Sequence, residues 1–264
     1  SFINKNSKIK LAGGFHKLSD YNRKIPKILR NIYHQIFIIL LDRLDFIIFY
    51  GEADRCNSIK KFNLKKEKTF LKKFGVDTSF WLPSKITSFN SPYIFSIGQD
   101  PSRDFQTLLK VKTRKKIHIH TNLLKPFDNS KFKITNGSYQ IHTSAFSDLK
   151  IKELYQNSFA VIVPLKNVFQ PSGCSVTLQA MACGKPVILT LTKGLWAPKF
   201  FKNYNNCILV SPENSNDIEE SIRKLENDQE RYQSICLEAR KTVERYFSLD
   251  VANQSTLEIF RNFT

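Results

Sequence analysis

Two hydrophobic periods alternate along this chain. Over 25–43, apolar residues fall at Ile25, Ile28, Leu29, Ile32, Ile36 and Ile39, one face of a 3.6-residue repeat, which predicts a helix with that face in the core. Pro26 sits near its start, where a missing N–H costs little. The run 46–50 is continuously apolar, as strands inside parallel sheets are, 159–164 reads as a buried strand, and 93–97 as another strand. The segment 116–120 alternates with period two. Further strands are expected at 9–14, 69–71, 139–142, 186–191 and 207–210. Helices are expected at 52–62, 103–111, 149–156 and 176–183, and from 217 onward with a break near Ser248. Such alternation predicts an α/β chain of parallel sheets with crossover helices. Pro83, Ser84, Ser88, Asn90, Ser91 and Pro92 make 82–92 read as a linker between two domains.

Composition narrows the class. At 264 residues, with 41% hydrophobic residues and 22 Phe, the chain can bury a sizeable core, which excludes a wholly disordered protein. Its 9 Gly and 10 Pro exclude a collagen-like one. The longest apolar run, 36–41, falls far short of the roughly 20 residues of a spanning helix. Residues 1–6 do not read as a signal peptide, and a first residue other than Met leads us to expect a fragment. Five scattered cysteines without CxxC spacing predict reduced thiols in a cytoplasmic protein.

A net charge of +18 admits nucleic acid, an anionic membrane face or phosphorylated substrates as partners, beside simple compositional drift. The basic stretch 60–68, with Lys72 and Lys73, is either a solvated helix face or an attraction to anionic lipid. No zinc-finger spacing, helix-turn-helix or RNA-binding motif supports nucleic acid, so none is expected.

The chemistry concentrates at 170–188. A strand ends at Pro164, small residues follow, and a helix starts near Ser175, so its free N–H groups suit a phosphate. Gly173 lets such a group approach the backbone, Ser172 or Ser175 adds a hydroxyl, and Gln170 and Gln179 can bind sugar or ribose hydroxyls. The same residues fit an ordinary N-capped helix with Gly184 as its C-cap. His118 and His120 share one strand face but have no Asp or Cys nearby in sequence, which favours packing over metal.

The stretch PSGCSVTLQAMACGKPVI resembles the donor-binding signature of GT-B glycosyltransferases of the family 4 type, the group 1 glycosyl transferases. Gly75-Val76-Asp77, the Gly98–Arg103 loop and Gly14-Phe15-His16 resemble further family segments in the expected order. The resemblance implies a GT-B fold: the last part of an N-terminal Rossmann-like domain at 1–83, a nucleotide-sugar domain at 84–247, and a C-terminal helix at 248–264 packing back.

It also implies sugar transfer from a nucleotide-sugar, with retention, to a glycan or lipid-linked acceptor, as in cell-envelope polysaccharide synthesis at the inner membrane face. Gly98, Arg103, Gln170, Ser172, Gly173, Ser175, Val176 and Gln179 would hold the donor, and His16 would be catalytic. No cofactor and no metal are implied. Two departures stand out. Gln170 and Gln179 occupy the places of two family glutamates, keeping hydrogen bonds but losing charge, and Gln99 replaces a basic residue, which leaves Arg103 as the diphosphate clamp. A degenerate, non-catalytic nucleotide-binding module is the alternative.

Overall fold

The computed structural model describes residues 10–20, 25–84, 89–124, 139–143 and 145–261. The first unit runs β1 (Ala12–Phe15), α1 (Arg30–Asp42), β2 (Phe46–Phe49), α2 (Glu52–Phe62) and β3 (Thr69–Leu71). Its strands form a parallel sheet in the order β1-β2-β3. Then come β4 (Tyr93–Ile97), α3 (Phe105–Leu108), β5 (Lys116–His120), β6 (Tyr139–His142), α4 (Asp148–Asn157), β7 (Val161–Val163) and α5 (Cys174–Ala182). The chain continues through β8 (Val187–Thr190), β9 (Ile208–Val210), α6 (Ser215–Glu226), α7 (Gln229–Tyr246) and α8 (Leu249–Arg261). The second sheet is also parallel, in the order β6-β5-β4-β7-β8-β9.

Sequence explains most of this. All three residues of β7 are fully buried, each contributing about 1.5–3 kcal/mol by leaving water, so the run forms a central strand. Gly184 at φ +67 ends α5, and its N–H reaches the Met181 carbonyl at 2.9 Å.

Three expectations need correction. The helix placed at 25–43 begins as a 3-10 turn at Lys27–Leu29 and is α-helical only over Arg30–Asp42. Its expected core face is the exposed one, with Ile28 87%, Ile32 58% and Ile39 56% accessible. α1 instead meets the sheet through Phe37, Ile38 and Leu41. The reason is geometric. Successive right-handed crossovers put α1 and α2 on one face, and both share a three-stranded sheet only about 10 Å wide. The helix expected at 103–111 is a single turn, because Lys110 and Val111 donate three residues back, to Thr107 and Leu108. The C-terminal helical region breaks at Asn227 as well as near Ser248; Asp228 caps α7 by accepting from Arg231 N at 2.9 Å.

The two units share a packed seam. Phe74, Val76, Phe80 and Trp81 belong to the core of the second sheet, not the first. Val76 N donates to the Phe247 carbonyl (2.9 Å), and Val76 pairs with Ser248 in a parallel bridge. Arg240 donates to the carbonyls of Trp81 (2.7 Å), Ala182 (2.7 Å) and Thr78 (2.9 Å), tying this crossing to α5 and α7.

Candidate functional site

In an open parallel sheet, ligands bind beyond the carboxyl ends of the strands where the strand order reverses. That switch point lies between β4 and β7. The loop 98–104 follows β4, and the loop 164–173 follows β7. They meet directly: Arg103 bridges to Leu165, Asp104 N donates to the Pro164 carbonyl (3.0 Å), and the Ser102 and Ser172 hydroxyl oxygens lie 2.9 Å apart.

Arg103 is 6% exposed, and its Nε and Nη1 have no hydrogen-bond partner among the described residues. Asp104 does not pair with it. The Asp104 carboxylate caps α3, accepting from Thr107 N (3.1 Å) and Thr107 Oγ1 (2.6 Å). The guanidinium crosses Gly98, where a Cβ would sit 2.1 Å from Nε, and Nη1 lies 3.5 Å from the Cβ position of Gly173. Burial pulls the Arg103 pKa below its ordinary value, with Tyr155 and Asp100 opposing. A guanidinium stays charged in spite of that. A buried cation without an anion is costly, so an incoming anion is strongly favoured here.

The N-terminus of α5 faces the same point. Gly173, at φ +75, is its N-cap, no side chain caps it, and the first turn holds no acid. The N–H groups of Cys174, Ser175 and Val176 therefore carry the helix's partial positive charge without a side-chain acceptor from the cap. Ser172 is buried beside Ser102, and Ser175 is exposed on the first turn. Gln170 is buried in the approach loop. One turn further on, Gln179 Oε1 accepts from the Tyr155 hydroxyl (3.3 Å). Burial pushes the Tyr155 phenol far up, so it remains a donor and turns the Gln179 amide N–H groups to the other side.

The first unit closes the crevice. His16 follows β1 and stacks on Tyr50, with centroids 4.0 Å apart and planes at 8°. Partial burial, then neighbouring Lys17, hold its pKa below 6.5, against the pull of Asp54. Lys17 Nζ reaches across to Asp100 Oδ2 at 2.7 Å. Burial pushes the Asp100 carboxyl up, but hydrogen bonds from Lys17 and Ser102 outweigh it and hold the pKa down. Asp54, wholly buried, accepts from Ser19 N (2.9 Å) and Leu18 N (3.3 Å), fixing the turn after His16. Gly51, after β2, faces Pro171, whose Cβ would be 3.2 Å from a Cβ at Gly51.

Gly98, Arg103, Ser172, Gly173, Ser175 and Val176 thus converge at one switch point, with Gln170 and Gln179 beside it and His16 on the facing unit. Gln99 turns away, its Oε1 accepting from Asn122 N (2.6 Å). Tyr155 and Lys17 carry no local motif, and the 98–103 segment gives Asp100 no role of its own. Only their tertiary partners identify them. His118 stacks on Tyr93 (4.4 Å) and His120 on Phe146 (4.2 Å). Among the described residues no group of three or more His, Cys, Asp or Glu could hold a metal, and no helix is long and apolar enough to cross a membrane. In the basic stretch, Lys61 and Lys68 donate to the backbone carbonyls of Ser19 (2.6 Å) and of Asp42 and Leu44 (both 3.2 Å), while Lys60, Lys65 and Lys66 are exposed.

Residues 130–242 match the family model of glycosyl transferases group 1. No curated relative matches the chain. Among solved structures, the fold is similar to HepE of Anabaena in complex with UDP-glucose, at TM-score 0.74 and 16% identity over 96% of this chain and 72% of that one. It is similar to S. aureus TarM in complex with UDP and α-GlcNAc-glycerol, at TM-score 0.73 and 15% identity over 95% of this chain and half (50%) of that one. A third is sucrose-phosphate synthase from Thermosynechococcus elongatus, at TM-score 0.75 and 15% identity over 95% and 67%. These likenesses carry the fold: it is GT-B, two parallel α/β units facing each other across a cleft.

Proposed function

From a chain with the GT-B fold that carries a group 1 glycosyl transferase domain at 130–242, we propose transfer of a sugar from a nucleotide-sugar donor to a glycan or lipid-linked acceptor. The observation that carries this reading is the buried Arg103 guanidinium, with two N–H groups unsatisfied beside the uncapped N-terminus of α5. A nucleoside diphosphate supplies the anion both lack.

In this reading the donor's diphosphate lies on Gly173 to Val176 and Arg103, and its ribose on the Gln179 amide. The bond from the anomeric carbon to the diphosphate oxygen breaks, and a bond from an acceptor hydroxyl to that carbon forms on the same face. The hydroxyl proton leaves with the diphosphate. Arg103 and the α5 amides stabilise charge growing on the leaving group, an oxyanion-type effect that is strongest where water is excluded. His16, neutral at pH 7 and fixed by Tyr50, hydrogen-bonds the transferred hexose. No metal is needed, since fixed protein dipoles and one cation take its role. The exposed Lys60, Lys65 and Lys66 support work at an anionic inner membrane face.

A non-catalytic nucleotide-binding module is the second reading, favoured by the neutral side chains of Gln170 and Gln179. Thermal shift with UDP, GDP and ADP and their sugar conjugates tests the first. A ligand at 100 times its dissociation constant adds about 2.7 kcal/mol, and one nucleotide should stand out. Binding without turnover by the natural full-length protein selects the module, and no shift with any nucleotide removes both readings.

A further inference from the structure

A second cavity, of about 400 Å³, opens between the two units one ring away from His16, since Tyr50 both stacks on His16 and lines the cavity. Its walls are aromatic, with Tyr50 and Phe74 from the first unit and Trp196 and Phe200 from the second. Phe74 and Trp196 meet edge to face at 5.5 Å, which sets the rings as a continuous apolar wall.

Its charge is one-sided. Lys72, Lys73 and Lys199 line it, and among the described residues none of them forms an ion pair. Glu52, the acid in the lining, is engaged by Arg55 at 3.2 Å. Trp196 is 7% exposed, and its Nε1–H finds no acceptor among the described residues. That nitrogen has no surface open to the cavity, so Trp196 contributes its ring to the wall. Apolar walls with a few convergent polar groups are the usual make-up of a small-molecule site.

We propose that this cavity binds the acceptor, and that the acceptor is a saccharide bearing an anionic group, phosphate or carboxylate. The apolar face of the sugar ring packs on the aromatic wall, and the anion faces the lysines. This rests on the glycosyl-transfer reading, and it adds the chemical class of the acceptor to that reading.

The test uses the full chain saturated with UDP, so that the anion site at Arg103 is filled. Calorimetric titration compares glucose 6-phosphate, glucuronate and neutral methyl glucoside. At least one anionic sugar should bind at least about fivefold more tightly than the neutral one, and the better of the two names the anion. Lys72→Gln with Lys73→Gln, and separately Lys199→Gln, change half-buried Lys72 and exposed Lys73 and Lys199, and should each weaken it about threefold to fivefold. Equal binding of charged and neutral sugars, no binding of either anionic sugar, or lysine variants that bind as the parent does would overturn the proposal. The UDP titration is a separate readout. If UDP itself fails to bind, the donor reading falls while the sugar titrations still report on this cavity.

Discussion

Lys17 Nζ lies 2.7 Å from Asp100 Oδ2, so the residue next to His16 grips the loop that delivers Arg103. With 42% and 31% of the two side chains accessible, the pair adds less than about 1 kcal/mol to stability. Its value is positional. Lys17→Met should leave the thermal midpoint nearly unchanged while lowering kcat/KM for sugar transfer about tenfold, or 1.4 kcal/mol. The reversed pair, Lys17→Asp with Asp100→Lys, should recover part of that loss. A variant with parental kinetics would assign the contact to surface electrostatics alone.

Arg103 is buried without an anion, so its removal separates binding from folding. Arg103→Met, close in volume, should weaken nucleotide binding by about 1.5–3 kcal/mol, the worth of hydrogen bonds to a charged group. The ligand-free protein should be as stable or more so in urea, because an uncompensated buried charge is gone. Marked destabilisation without ligand would make the guanidinium a structural group instead.

Gly98 tests the same cation from the backbone side. A Cβ there would stand 2.1 Å from Arg103 Nε, closer than any real contact, so Gly98→Ala must push the side chain off its path. The loss of nucleotide affinity should approach that of Arg103→Met. Isothermal titration of both variants checks it, and parental affinity in Gly98→Ala would show that the guanidinium has a second productive pose.

Burial holds His16, His118 and His142 below the ordinary 6.5. Protonation is therefore easier in the unfolded chain than in the folded one. Stability from these groups is fully present above the unfolded value and is lost as pH falls below about 6.5, since the unfolded state then binds more protons. Urea midpoints should fall steadily from pH 7 to pH 5. His16→Asn, followed by the same scan, should flatten part of that slope, and an unchanged slope would remove His16 from the account.

Where one segment carried both its own period and its own burial, sequence was enough. The run through β7 and the small residues of α5 place the switch-point loop without help, because a strand apolar on both faces has only a sheet interior to occupy. α1 shows where that stops. Its period marks which residues share a face, but what covers a face is decided by the width of the sheet and by neighbouring helices, so Ile28 and Ile32 are exposed. Sequence favoured Arg103 over Gln99 as the clamp, and what it could not show is that Gln99 Oε1 is taken by Asn122 N, 23 residues away. Tyr155 and Trp196 could not be read. Each gains its role only from a partner brought close by folding, Gln179 for one and the wall of the second cavity for the other.

The seam at Val76 has a mechanical consequence. The crossing at 74–81 lies beside the return at Phe247 and Ser248, and Arg240 clasps it through Thr78 and Trp81. The crossing from one sheet to the other is therefore a fastened stretch of chain and not a free hinge. A cut after Ser84 would leave two pieces that still co-elute. The smaller piece would carry Val76 and Trp81 as a plug in its partner's core, so that reassembly from separately made halves should begin from that plug.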